Sequence, residues 1–133
     1  MSQVILVVIS LDELEVIRKW YRRELRLLNL CRTDDVVDLE DYKDLRDDIK
    51  AVKTALRDFE MLYKLHLRRK DPEVLIGAYP SFYETFEEVV SNQRVLLQDW
   101  IRNAKGKLTE KMEVEREVNI ILNVYEKIIE ALS

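Results

Sequence analysis

Apolar positions along the chain fall into four long stretches spaced by threes and fours, and two short runs with no settled period. In the first long stretch Leu14, Ile17, Tyr21, Leu25 and Leu28 make one helical stripe. Ser10, with Glu13 three residues on, forms a capping box, which predicts a helix over about 11–30. The second stretch is the most regular. Tyr42, Leu45, Ile49, Val52, Leu56, Phe59, Tyr63 and His66 alternate by three and four without a break. That is the heptad seam of coiled-coil-like packing, and it predicts a helix over about 38–70. A second capping box, Ser81 with Glu84, opens a third helix over about 81–104 through Phe86, Val89, Val90, Leu97, Trp100 and Ile101. The last helix, about 109–132, carries Met112, Val118, Ile121, Leu122, Tyr125, Ile128, Ile129 and Leu132.

The short runs are harder to read. Val4 to Ile9 is apolar and rich in β-branched residues, which fits either a strand or the buried opening turns of a helix. After Asp71-Pro72, which ends the second helix, the run PEVLIGA reads as a short extra helical turn near 72–77, closed by Gly77. Four long helices with short connections and no flexible linker predict an all-α fold. The expected form is a four-helix bundle with long antiparallel helices, up-down, in a single domain over 1–133.

Composition narrows the setting. Hydrophobic residues make up 47% and charged residues 36% of the chain, with only two glycines and two prolines, so there are few places to turn. High charge with abundant Ile, Leu and Val is thermophile-like. The lone cysteine, Cys31, has no partner for an intramolecular disulfide, which suits a reducing cytoplasm. The apolar run at the start is far short of the ~20 residues a membrane span needs and lacks the basic flank of a signal peptide. A cytoplasmic location follows, or a virion if the coat-protein alternative below holds.

The net charge of −4 makes the domain a poor general polyanion binder, so a nucleic-acid role needs a local basic surface. RKWYRRELR is one candidate: Arg18, Lys19, Arg22, Arg23 and Arg26 share a helical arc of roughly 140°. Its aromatics do not interleave with the cations. Tyr21 lies on the core stripe and Trp20 on another side, which weakens a base-stacking platform. Residues 34 to 48 hold eight acids, and an antiparallel hairpin predicts that these face the basic arc. Arg68, Arg69 and Lys70 are a second basic cluster that can extend the surface if the fold brings them near, as are Arg102, Lys105 and Lys107.

Catalytic chemistry finds little footing. His66, the single histidine, sits on the seam at a helix end and reads as a core-edge imidazole or a helix C-terminal cation. Glu84/Glu87 and Glu110/Glu113 have the Glu-x-x-Glu spacing that can hold magnesium. Such pairs are expected by chance among 26 acids, and both have explanations at helix starts. Phosphate-binding glycine loops and zinc spacings are absent from the sequence. No catalytic residue, metal ligand or cofactor is assigned, and a metal-dependent bundle enzyme is the least supported reading.

What remains is apolar surplus. Val16, Trp20 and Leu27 form a second apolar side on the first helix, and Val4, Ile5, Leu6, Val7, Val8 and Ile9 add an apolar segment that a small bundle need not bury. These residues are the expected interface. The leading expectation is a non-catalytic helical assembly or scaffold protein, self-associating or bound to another helical protein. The alternative is a nucleic-acid-associated or nucleic-acid-coating subunit, of ribonucleoprotein or archaeal viral coat type, using the basic face of helix one.

Overall fold

The computed structural model describes residues 5–32, 39–78, 80–103 and 108–132, with the backbone alone for 31, 32, 39–43, 78, 80, 81, 103 and 109. Within these residues the chain is mostly helical, but it is not all-α. Four helices, α1 (Leu11–Arg32), α2 (Leu39–Arg69), α3 (Pro80–Asn103) and α4 (Leu108–Leu132), are joined by a two-stranded sheet of β1 (Ile5–Ser10) and β2 (Glu73–Ala78).

The sheet corrects one expectation and settles another. The run after Pro72 is a strand rather than an extra helical turn, and the apolar N-terminal segment is its antiparallel partner, with Ile5 opposite Ala78, Val7 opposite Ile76 and Ile9 opposite Val74. The physical reason is period two. Val7, Ile9, Val74 and Ile76 point into the core while Leu6, Val8, Glu73 and Leu75 point out. Taken alone, each run is a short apolar segment; paired, they bury one face and satisfy each other's backbone.

Helix ends follow local chemistry. At the start of α1 the Ser10 N–H donates to Glu13 Oε1 at 2.8 Å and the Glu13 N–H donates to Ser10 Oγ at 3.0 Å, so the capping box is formed. Glu13 also accepts from Lys127 Nζ at 2.9 Å and Asn123 Nδ2 at 3.2 Å, which ties that cap to α4. At the end of α2, Lys70 adopts φ 58°. The Asp71 N–H donates to the His66 carbonyl at 3.0 Å and the Lys70 N–H to the Leu67 carbonyl at 3.2 Å, a Schellman motif with lysine where glycine is usual. His66 Nδ1 meets Asp71 Oδ2 at 2.9 Å, so the imidazole serves the helix end. The Leu11 N–H donates to the Pro72 carbonyl at 3.1 Å, joining the start of α1 to the chain leaving α2.

The core gathers Val7, Ile9, Val74 and Ile76 of the sheet with the stripes of all four helices. Tyr21 and Phe59 meet edge to face at 5.1 Å, Phe59 and Phe82 at 5.9 Å, and Phe86 stacks on both Phe82 and Tyr125, so a chain of rings links the four helices. Each such pair contributes about 0.5–1.5 kcal/mol beyond its buried area. Among the described residues no helix is long and apolar enough to cross a membrane.

Candidate functional site

Four features of the surface and core bear on function, the first being the basic face of α1. Arg18 Nη2 donates to Glu60 Oε2 at 2.9 Å, and Arg22 donates to Glu60 Oε1 from Nε at 2.9 Å and from Nη2 at 2.7 Å. The Arg18 guanidinium also lies 3.9 Å above the centre of the Tyr63 ring. Burial pushes the Glu60 carboxyl up, but the two arginines outweigh it and hold it below the ordinary carboxylate range. Lys19 Nζ and Arg23 Nη2 face the buried Glu117 of α4 at 3.5 and 3.6 Å. Four of the five basic residues are therefore paired, and their partners are Glu60 and Glu117. Of the acids at 34–48, residues 34–43 lie outside the described side chains, and Asp48 faces Glu24 and Glu88 instead. Arg26, Arg68, Arg69 and Lys70 are exposed. Arg102 is exposed as well, while Lys105 and Lys107 lie outside the described residues.

The second feature is the outward face of the β1–β2 ribbon. Leu6 is 63% exposed, Val8 47% and Leu75 54%, with Val8 directly opposite Leu75 and Leu6 opposite Gly77. Ile5 is half-buried and Val4 lies outside the described residues. Four of the expected interface residues turn inward. Val7, Ile9, Val16 and Trp20 belong to the core of the chain itself and have almost no area to offer a partner. On the second apolar side of α1, Val16 and Trp20 are covered by the chain's own helices and sheet, while Leu27 is half-buried.

A third feature was hidden from the sequence. Arg23, Arg26, Leu27 and Leu30 of α1 line an open groove with Gln93, Leu96 and Trp100 of α3. Trp100 is 40% exposed, so the fold sets an indole from another helix beside the arginines, whose own helix buries its Trp20. Gln93 is buried, and its side-chain amide approaches Glu24.

The fourth feature is a cavity of about 30 Å³ enclosed by α1, α2 and α3. Glu24, Asp48 and Glu88 reach it from the three helices, beside Asn92 and Thr85. Glu24 is 2% exposed, and neither of its carboxylate oxygens makes a hydrogen bond of ordinary length. The amides of Asn92 and Gln93 approach and favour its ionised form. Burial first, then the charges of Glu88 and Asp48, overcome them and push its carboxyl up to about 7. Burial together with Asp44 and Asp47 raises Asp48, and burial together with Asp48 raises Glu88. The Glu-x-x-Glu pairs singled out by spacing are elsewhere: Glu84, Glu87, Glu110 and Glu113 are all exposed, and Glu113 pairs with Arg116.

One signal in the sequence did point here. Glu24 stands four residues after Trp20 and three before Leu27, in the middle of the second apolar side of α1. Glu117 interrupts the stripe Val114–Ile121–Val124–Ile128 in the same way, and Gln93 interrupts Phe86–Val89–Val90–Leu97. A polar residue in an apolar stripe is the mark of a buried polar group, and all three are buried.

The fold and surface thus define a mostly helical protein with a two-stranded β ribbon, a paired basic face and a carboxylate-lined cavity. Comparison with family models, with curated proteins and with solved structures finds no match.

Proposed function

We propose that this is a non-catalytic assembly protein whose product is an interface between copies of itself. We propose also that its helices form an up-down antiparallel bundle carrying that interface on the β ribbon. The observation that carries the reading is the outward face formed by Leu6, Val8 and Leu75, three large apolar side chains between 47% and 63% exposed on one side of a sheet only two strands wide. Two-stranded ribbons are marginal alone, and their outer edges are templates for further strands. No charged side chain interrupts β1. A second copy packed face to face about a two-fold axis would cover both apolar faces together. Contacts between α1 and α2 support the bundle. Arg18 meets Glu60, Tyr21 meets Phe59, and Leu28 and Val52 share a cavity wall, so rising numbers on one helix meet falling numbers on the other.

Sedimentation velocity tests this. The wild-type chain is expected to sediment as an oligomer at high micromolar concentration, and Leu6→Lys with Val8→Lys to sediment as a folded monomer. A monomeric wild-type chain overturns the reading, as does a double variant that associates undiminished.

A second reading, a nucleic-acid-associated subunit, draws on the groove where Arg23, Arg26 and Trp100 lie together. A base stacked on an exposed indole beside arginine is worth ~1–3 kcal/mol. Single-stranded RNA should then quench Trp100 fluorescence in a salt-sensitive way, and Arg26→Glu should abolish the quenching. Absence of quenching at low salt rules this reading out.

A further inference from the structure

The ribbon covers only part of the helical layer behind it. β1 and β2 pack on α1 and α4, and the sheet ends at β2, with α2 lying beyond its free edge. The ladder fixes what that edge presents. The Leu11 N–H donates to the Pro72 carbonyl at 3.1 Å, which makes these two residues a hydrogen-bonded pair at the end of the β1–β2 register. Such pairs recur at every second residue of an antiparallel ladder. Val74, Ile76 and Ala78 therefore bond to β1, while Glu73, Leu75 and Gly77 turn their N–H and C=O groups the other way. Among the described residues no backbone hydrogen bond from another element reaches Leu75 or Gly77. β2 also lacks the usual guards of an edge: its register runs without a bulge, and no charged side chain follows Glu73 within it. Beside that edge is a pocket of about 200 Å³. Ile76 and Gly77 form one wall, Ala55, Phe59 and Leu62 of α2 form another, and Phe82 of α3 joins them. Asp58 is exposed, and it lines both this pocket and the two depressions that adjoin it along α2.

We infer that the free edge of β2 is a docking site for an extended segment of a partner protein, one that alternates apolar residues and carries a lysine or arginine. The segment adds a third strand by bonding to the N–H and C=O groups of Leu75 and Gly77. Pleating then decides where its side chains go. Residues beside Leu75 and Gly77 point outward with them, and the residue beside Ile76 points inward, to the pocket between β2 and α2. The apolar walls there suit a large aliphatic side chain, and the charge of Asp58 selects a basic residue close to it. Gly77, having no Cβ, lets the incoming backbone approach closely. This surface is separate from the outward face of the ribbon, since it uses the backbone of the edge and the side of α2.

Hydrogen exchange and a peptide selection on the full chain test this. In the free chain the Leu75 and Gly77 amides should exchange at least about tenfold faster than those of Val74 and Ile76. A random library of displayed peptides, each of about seven residues, should enrich alternating apolar sequences with a lysine or arginine when selected on the immobilised chain. An enriched peptide, made synthetically, should slow exchange at Leu75 and Gly77. Gly77→Pro removes an edge donor that the ladder with β1 does not use, and should weaken that peptide's binding about tenfold. Leu62→Glu, which puts a charge in the pocket, should give about the same loss and serves if the proline variant fails to fold. Asp58→Lys, at an exposed position, should weaken binding roughly threefold or more. The assignment is overturned if no alternating sequence is enriched, if the enriched peptides leave both amides unprotected, or if the folded variants bind undiminished. Amides of Leu75 and Gly77 that are protected in concentrated wild type and exchange fast on dilution would give the edge to a second copy, and overturn it too.

Discussion

Replacing Glu24 with glutamine isolates the cost of a charge held in the core. Its carboxyl has an ordinary value of 4.5 and is pushed up to about 7 in the folded chain, by burial first and by the charges of Glu88 and Asp48 next. Between those two values the folded state binds more protons than the unfolded state, so stability falls as pH rises through the window. Below the unfolded value the group is protonated in both states and contributes no penalty. Above about 7 the full penalty applies, and a shift of this size corresponds to roughly 3 kcal/mol, or about 10 °C in Tm for a chain of this length. Glutamine keeps the shape and cannot ionise. In urea unfolding followed by circular dichroism with EDTA present, Glu24→Gln should exceed the wild type by as much as ~3 kcal/mol near pH 8, and the two should converge near pH 4. Asp48 and Glu88 are also raised, and their titration tilts both curves the same way. The difference between the curves, rather than either slope, therefore reports Glu24. A gap of equal size at both pH values, or a variant less stable than wild type near pH 8, would refute the reasoning.

Three further outcomes are expected. Glu60→Gln removes the acceptor shared by Arg18 and Arg22, leaving the largely buried Arg18 without its carboxylate. It should cost about 1–3 kcal/mol in urea unfolding at neutral pH. Because the folded Glu60 carboxyl is depressed, that contribution is present above its ordinary value and is lost as pH falls through the folded one, so the gap should close in acid. Trp20→Ala, in the core rather than on a surface, should cost about 3–5 kcal/mol of folding stability while the folded variant associates as the wild type does by sedimentation. Lys70→Gly should add about 1 kcal/mol in thermal unfolding, because glycine takes the left-handed conformation at the end of α2 without a Cβ clash.

The helices were readable because each carries its own evidence: a stripe of period 3.6, a capping box, a proline or an acidic start. The Ser10–Glu13 box forms with both hydrogen bonds in place. The sheet was not readable, because each strand's reason for existing lies more than sixty residues away. PEVLIGA, with Pro72 placed as a first helical residue and Gly77 as a stop, satisfies a helix locally. Only Val7 and Ile9 across the ladder make its alternation count. The same holds for charge. The acids that answer Arg18 and Lys19 are Glu60 and Glu117, far from α1 along the chain, while residues 34–43 of the acidic run nearby lie outside the described side chains. The carboxylate cavity draws one residue from each of three helices, so no spacing rule finds it, although Glu24 on an apolar side was a visible anomaly.

The ribbon also sets a timetable. β1 leaves the ribosome well before β2, with α1 and α2 made in between, and at about 5–20 residues per second the interval is roughly 3–13 s. Through that interval Ile5–Ile9 is an apolar strand with no ladder to join, in a cell full of other nascent chains. Whatever shields it then, whether early docking on α1 or the strand of another copy translated from the same message, acts before the monomer has a core. An assembly that forms through β1 would turn this exposure to use, by meeting its partner before its own second strand exists.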